Sequence, residues 1–203
     1  FDLNYRAPHL LAAVPWAADE DTLFLSSDAG ATFKPWSLGL DWAGRVPFYP
    51  NFAIGQGVVF VGALTVDQKN LSNTSSCLFS RSLSELEPTA TRQDGWRPVP
   101  NAPRLDEDGM PKDRMALLVN PKDDDMLFVA GNAGALAWRV AWKSGEWTVA
   151  AGEDTIDKSS PHGDCRNYYW EETTSSLILL NDGGAHMRSS PTMKGGKWTS
   201  LSG

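Results

Sequence analysis

Apolar and polar residues alternate in short runs along the whole chain, and the runs end at clusters of Gly, Pro, Asn, Asp or Ser. A period of two bounded by turn residues predicts half-buried β-strands. In the first segment the runs are His9 to Val14, Thr22 to Ser26 and Thr32 to Trp36. A second segment offers Val46 to Ile54, Val58 to Leu64, Ser76 to Arg81 and Trp96 to Val99. The third offers Arg114 to Asn120, Met126 to Gly131, Leu136 to Trp142 and Trp147 to Ala150, with Pro121 to Asp125 as the hairpin between its first two strands. The last holds Asn167 to Glu171, Leu177 to Asn181, Ala185 to Ser189 and Trp198 to Leu201. No stretch carries a 3.6-residue apolar stripe, so the expected fold class is all-β.

The runs repeat. A turn-forming glycine shortly before a tryptophan recurs at Gly95-Trp96, Gly145-Glu146-Trp147 and Gly196-Lys197-Trp198, and the three tryptophans are 51 residues apart. Overlaid at that offset without a gap, Met126-Leu127-Phe128-Val129 falls on Leu177-Ile178-Leu179-Leu180, Leu117-Leu118-Val119 on Tyr168-Tyr169-Trp170, and Asp113 on Asp164. A fixed period of this size suits one four-stranded propeller blade. Trp96, Trp147 and Trp198 are then equivalent blade anchors, and the repeats run from 1 to 44, 45 to 110, 111 to 160 and 161 to 203 of a single domain.

One turn is more specific. In Ser26-Ser27-Asp28-Ala29-Gly30-Ala31-Thr32-Phe33 the Asp28 carboxylate can accept N–H groups across a reversal while Gly30 takes a left-handed conformation. Phe33 is expected to point into a core. The pattern Ser26, Asp28, Gly30, Thr32, Phe33 resembles the Asp-box, or BNR repeat, of sialidase-like and Vps10-like β-propellers, where this turn is structural and joins a blade's third and fourth strands. On that basis the first segment has room for little more than three strands, and its innermost strand either comes from Phe1 to Arg6 or is missing. Rings in these families are usually larger than four blades. The chain is therefore expected to be part of a bigger ring, completed by further chain or by a partner.

Composition narrows the function classes. The net charge is −7, with no basic run, which argues against a nucleic-acid partner. No apolar stretch reaches the roughly 18 residues of a membrane span. Asn70-Leu71-Ser72 and Asn73-Thr74-Ser75 are adjoining N-glycosylation sequons in a polar loop, and the chain opens on Phe1 without a leader-like stretch, the pattern of a processed or excerpted secreted protein. Cys77 and Cys165 fall on different repeats and are expected not to pair. Asp123, Asp124 and Asp125 invite calcium, yet they lack the alternate spacing of a calcium loop, and neither a metal nor another cofactor is assigned.

Chemistry concentrates near the last repeat. In an antiparallel blade the lead-in to strand one and the hairpin between strands two and three share a face. His162, Asp164 and Arg166 occupy the first place and Asn181 and Asp182 the second, so these five are the ligand-binding candidates. The alternative is that they satisfy one another and merely shape the blade. The stretch from His162 to Trp198 is similar to the last blades of secreted bacterial BNR-repeat propellers, with a His-x-Asp segment ahead of an Asn-Asp-Gly-Gly hairpin.

Resemblance to sialidases would imply three arginines on a substrate carboxylate, a Tyr–Glu nucleophile pair and an Asp acid/base. Tyr5-Arg6-Ala7-Pro8 is similar to one arginine motif, but only about 20 residues separate Arg6 from Asp28, and no further member of the set can be matched. The sequence therefore favours an extracellular, non-catalytic module recognising protein or glycan. The alternative is a sialidase-like or xyloglucanase-like glycoside hydrolase with Asp164 and Asp182 as carboxylates, which needs them roughly 5 to 9.5 Å apart.

Overall fold

The computed structural model describes residues 2–6, 9–13, 22–26, 28, 30–37, 40, 44–70, 74–85, 95–103, 115–131 and 137–202. They form sixteen strands. The first four are β1 (Asp2–Arg6), β2 (His9–Ala13), β3 (Thr22–Ser26) and β4 (Lys34–Ser37); the next are β5 (Arg45–Ile54), β6 (Val58–Asp67), β7 (Thr74–Ser82) and β8 (Arg97–Pro98). Then come β9 (Ala116–Asn120), β10 (Asp123–Ala130), β11 (Ala137–Ala141) and β12 (Glu146–Val149), followed by β13 (Cys165–Glu171), β14 (Ser176–Asn181), β15 (Gly184–Arg188) and β16 (Trp198–Ser200). Each consecutive four makes one antiparallel sheet in chain order. Single-turn 3₁₀ segments at Leu83–Glu85 and Gly152–Asp154 are the only helical elements among the described residues.

The sheets stack in sequence. β1 packs along β5, β5 along β9, and β9 along β13, so the first strand of every sheet neighbours the first strand of the next. Fully buried layers fill the gaps between the last three sheets. Phe60, Leu64, Met115, Leu117, Leu127 and Val140 lie between the second and third sheets, and Phe128, Tyr168, Leu177, Leu179 and Trp198 between the third and fourth. Burial of apolar surface at about 25 cal/mol per Å² makes these layers the main source of stability.

The tryptophan repeat has a physical cause. Trp147 lies in β12 and Trp198 opens β16, both fourth strands, and Trp96 stands immediately before the fourth strand β8. The Trp147 indole N–H donates to the Pro100 carbonyl at 2.9 Å, and that of Trp198 to the Ala150 carbonyl at 2.6 Å. Pro100 and Ala150 each sit just past the last strand of the preceding sheet. The Trp147 and Trp198 indoles thus staple their own sheets to the ones before them, and a large ring with one polar handle suits that task.

Several expectations need correction. Of the two alternatives for the first segment the structure takes the strand at Asp2–Arg6, which pairs with His9–Ala13 along its whole length, so the sheet has four strands rather than little more than three. The β9–β10 hairpin is only Pro121 and Lys122; Asp123 already pairs with Asn120, and an irregularity before Leu127 absorbs the remaining acidic residues. The gapless overlay also matches strands but not register. It sets Leu118 on Tyr169 and Phe128 on Leu179, yet Leu118 pairs with Phe128 whereas Tyr169 pairs with Ile178. The shift arises at the hairpins, Pro121–Lys122 with an irregularity before Leu127 in the third sheet against residues 172–175 in the fourth; separately, a bulge between Cys165 and Asn167 is sealed by the Asn167 side chain accepting from the Tyr168 N–H at 2.9 Å.

Candidate functional site

The acidic turn closes as its residue types require. Asp28 accepts from the Thr32 amide at 2.9 Å and from the Thr32 and Ser26 hydroxyls, while the Ser26 hydroxyl accepts from the Gly30 amide at 2.8 Å. Gly30 takes φ 88°, open to glycine without strain. The Thr32 and Ser26 donors hold the Asp28 carboxyl down at about 2. Phe33 does not enter a core. It is 38% exposed, and the return strand starts one residue later, at Lys34.

The structure brings the lead-in to β13 against the β14–β15 hairpin. His162 Nδ1 lies 2.7 Å from Asp182 Oδ1, and the Asn181 side-chain amide donates to the His162 carbonyl at 3.1 Å. Asn181 is buried; the His162 and Asp182 side chains are 59% and 47% exposed, so their pairing is solvent-screened. Gly183 is required by contact, since a Cβ there would come within 2.7 Å of the His162 Cβ and Cγ. Asp164 holds φ 54°, a left-handed conformation uncommon outside glycine. Arg166 points outward from β13, exposed. Next to it Cys165 is fully buried, and desolvation pushes its thiol up to about 12. Cys77 stands in β7, and the two cysteines are not bonded.

Sequence reasoning missed two neighbours of this group. His186 Nδ1 lies 3.2 Å from the Asn181 side-chain nitrogen, and burial followed by the nearby His162 lowers its pKa. Arg188, two positions along β15, has no solvent exposure at all. It donates to Asp154 at 2.7 Å and to the carbonyls of Ala150 and Met193 at 2.8 and 3.2 Å, and lies 5.9 Å from the centre of the Trp198 ring. Arg139 approaches Asp154 from the third sheet, donating to its other oxygen at 2.8 Å. Two guanidinium groups from adjacent sheets therefore close on one carboxylate inside the protein. The only available signal was His186-x-Arg188 alternating with Ala185 and Met187.

The remaining candidates have separate roles. Asp124 accepts from the Gln56 and Gly57 amides at 3.0 Å each, Asp125 pairs with Lys143, and Asp123 accepts from the Asp125 amide. The three carboxylates thus serve three different partners. Among the described residues no group of three acidic, His or Cys side chains is placed to hold a metal ion. Asn70 sits in the exposed turn after β6, its amide donating to the Asp67 carbonyl. Asn73 and Asp113 lie outside the described residues, as do the side chains of Tyr5 and Arg6.

No protein-family model matches the sequence, and no curated protein matches it. Solved structures do. A GH74 xyloglucanase from Xanthomonas campestris superposes with a TM-score of 0.56 at 15% identity over 94% of this chain and 27% of its own. A sialidase from Trypanosoma rangeli gives 0.57 at 12% identity, over 98% of this chain and 36% of its own. YCF48 bound to D1 peptide gives 0.52 at 14% identity, over 98% and 53%. The chain spans about a quarter to a half of the length of these proteins. Four-stranded antiparallel sheets, joined first strand to first strand and matched to these structures, give the chain a β-propeller fold similar to that of the sialidases and the xyloglucanase.

Proposed function

We infer that the chain is a run of blades from a larger β-propeller whose role is to bind protein or glycan rather than to cleave it. The observation that carries this reading is where the arginines go. Arg139 and Arg188, two of the guanidinium groups on the third and fourth sheets, are closed on Asp154 in the interior rather than turned to a substrate carboxylate. Asp182 is engaged by His162, though at the surface. The Ser26 to Phe33 turn then serves as an Asp-box that fastens a blade, and the sequons at Asn70 and Asn73 suit an extracellular module. YCF48, a neighbour in fold, was solved with a peptide, so the architecture is compatible with protein recognition. The test is to incubate the intact parent protein with sialosides and β-glucans and, in parallel, to screen it for capture of glycans and proteins. Capture without hydrolysis is the expected result; turnover of either substrate class would refute the reading.

One observation favours the hydrolase alternative. Asp164, at φ 54°, is a non-glycine residue in left-handed backbone beside the Asp182 hairpin, and such positions recur at active sites. If that reading holds, Asp164→Asn and Asp182→Asn each abolish glycoside cleavage while the thermal melt stays unchanged.

A further inference from the structure

Asn181 ends β14, and antiparallel pairing sets it opposite Cys165 in β13 and Gly184 in β15, between the lead-in to one strand and the start of the other. It is 8% exposed, and its amide nitrogen serves both sides. Nδ2 donates to the His162 carbonyl at 3.1 Å and lies 3.2 Å from His186 Nδ1. A primary amide nitrogen has two hydrogens and no acceptor capacity, so the second contact is a hydrogen bond only when His186 Nδ1 carries no proton. Exchanging the amide's oxygen and nitrogen would turn Asn181 Oδ1 against the His162 carbonyl, two acceptors face to face. The carbonyl thus fixes the amide, and the amide fixes His186 as the neutral imidazole with its proton on Nε2.

This arrangement has no place for a second proton on His186. With Nδ1 protonated, two donors meet at 3.2 Å. Half a turn of the amide relieves the clash, because Oδ1, which is buried and accepts from no described group, then faces the new N–H. The same half turn takes the donor away from the His162 carbonyl and presents it with an oxygen, so the hold on the lead-in ends. That lead-in includes Asp164 at φ 54°, a conformation uncommon outside glycine that its surroundings must maintain.

The charges around His186 do not remove the conflict. On the lead-in and hairpin stand His162, Asp164 and Asp182, with His162 Nδ1 2.7 Å from Asp182 Oδ1. On β13 stand Arg166, which is exposed, and Cys165, whose thiol burial keeps neutral. On β15 itself Arg188 is neutralised by Asp154, as is Arg139 of the third sheet, and β16 carries no charge. Burial, followed by the neighbouring His162, disfavours protonation of His186 in the closed arrangement. The closed arrangement is therefore complete above the ordinary imidazole value of 6.5 and is lost as pH falls below it.

We propose that His186 and Asn181 form a proton-operated latch: with His186 neutral the Asn181 amide holds the lead-in to β13 against β14, and protonation of His186 turns the amide and releases the lead-in. The face carrying His162, Asp164, Arg166 and Asp182 then changes shape with pH. This goes beyond the binding reading and stands or falls apart from it, because no ligand enters the argument.

The test is NMR on the 203-residue chain. At about pH 7.5, long-range proton–nitrogen spectra should show His186 with Nδ1 bare and Nε2 protonated. On titration to about pH 5, the Gly163 and Asp164 amides should shift with the same midpoint as His186. Over the same range the Cys165 amide, bonded to the Gly131 carbonyl where β13 begins, should exchange about tenfold faster or more, the scale of one lost hydrogen bond. His162→Gln keeps the backbone carbonyl and removes the other imidazole, so the transition should persist in it. In Asn181→Leu the two amides should no longer follow His186, whose midpoint should rise. Asn181→Asp places an acceptor opposite His186 and no donor opposite the His162 carbonyl, so it should raise that midpoint and leave the lead-in released at neutral pH. A proton on Nδ1 of His186 at neutral pH, lead-in amides that do not move at its midpoint, a transition lost in His162→Gln, or one that survives in Asn181→Leu would each overturn the proposal. The tautomer and the shared midpoint are read on the unsubstituted chain, so the proposal can fail even where a variant at the buried Asn181 does not fold.

Discussion

Replacing Asp154 by Asn should be among the most damaging conservative substitutions available. The side chain keeps its shape and loses its charge. Arg188, with no solvent exposure, and Arg139, at 13%, would then face a neutral amide that can accept from one of them but presents its own donors to the other. Arg188 has little in reserve: its Nε is buried without a hydrogen-bond partner, and its other bonds go to two backbone carbonyls. Removing the partner of a buried charge typically costs about 3–5 kcal/mol, because the remaining ion stays desolvated and uncompensated. In a domain of about 150–250 residues, where 1 kcal/mol moves Tm by about 2–4 °C, that is a drop of roughly 6–20 °C. Differential scanning calorimetry of Asp154→Asn measures it, and a double-mutant cycle with Arg188→Met apportions it. The double variant should melt above Asp154→Asn alone, since it no longer buries an unpaired cation. A Tm within about 2 °C of the parent for Asp154→Asn, or coupling below about 0.5 kcal/mol, would show that the cluster is solvent-screened and that the reasoning fails.

Three further outcomes are expected. Because Thr32 and Ser26 donors depress the Asp28 carboxyl from 3.8 to about 2, the turn's contribution to stability is complete above about pH 4 and is lost as pH falls through 2. Carboxylate NMR should place the Asp28 midpoint near 2, moving up toward the ordinary range in Thr32→Ala; an unmoved midpoint would discount those hydrogen bonds. Gly183→Ala should force the His162 ring aside at a cost of about 1–3 kcal/mol, visible as a displaced His162 Hε1 resonance; an unshifted resonance would mean that the hairpin yields instead. Cys165, buried and pushed up to about 12, should resist iodoacetamide in the native protein while the half-buried Cys77 reacts first. Simultaneous labelling of both would contradict the placement of β13.

Fifteen strands of the meander were legible because each reversal carries its own residue chemistry and each strand its own alternation; the first, Asp2–Arg6, was left open as one of two alternatives. The juxtaposition of His162 with Asn181 and Asp182 was legible too, since antiparallel direction alone puts a strand's lead-in beside the next hairpin but one. Phe33 was misjudged because an aromatic after a turn signals burial on average, whereas here the strand begins one residue later and leaves the ring 38% exposed. The register of the fourth sheet differs from the overlay because a constant offset cannot see how a hairpin closes: the third sheet turns over Pro121 and Lys122 and then shifts before Leu127, whereas the fourth turns over residues 172–175 with no such shift.

The sequence by itself determined the strands, the turns and the spacing of the tryptophans, because these depend on neighbours a few residues apart. Only the tertiary structure decided what β15 buries. His186 and Arg188 pair with Leu179 and Leu177 and share their inward face, while the apolar Met187 sits on the other. That inversion is stable because Asp154, from a loop of the preceding repeat, neutralises Arg188 at 2.7 Å. A carboxylate 34 residues away along the chain leaves no mark on local alternation, so its partnership exists only once the sheets have stacked.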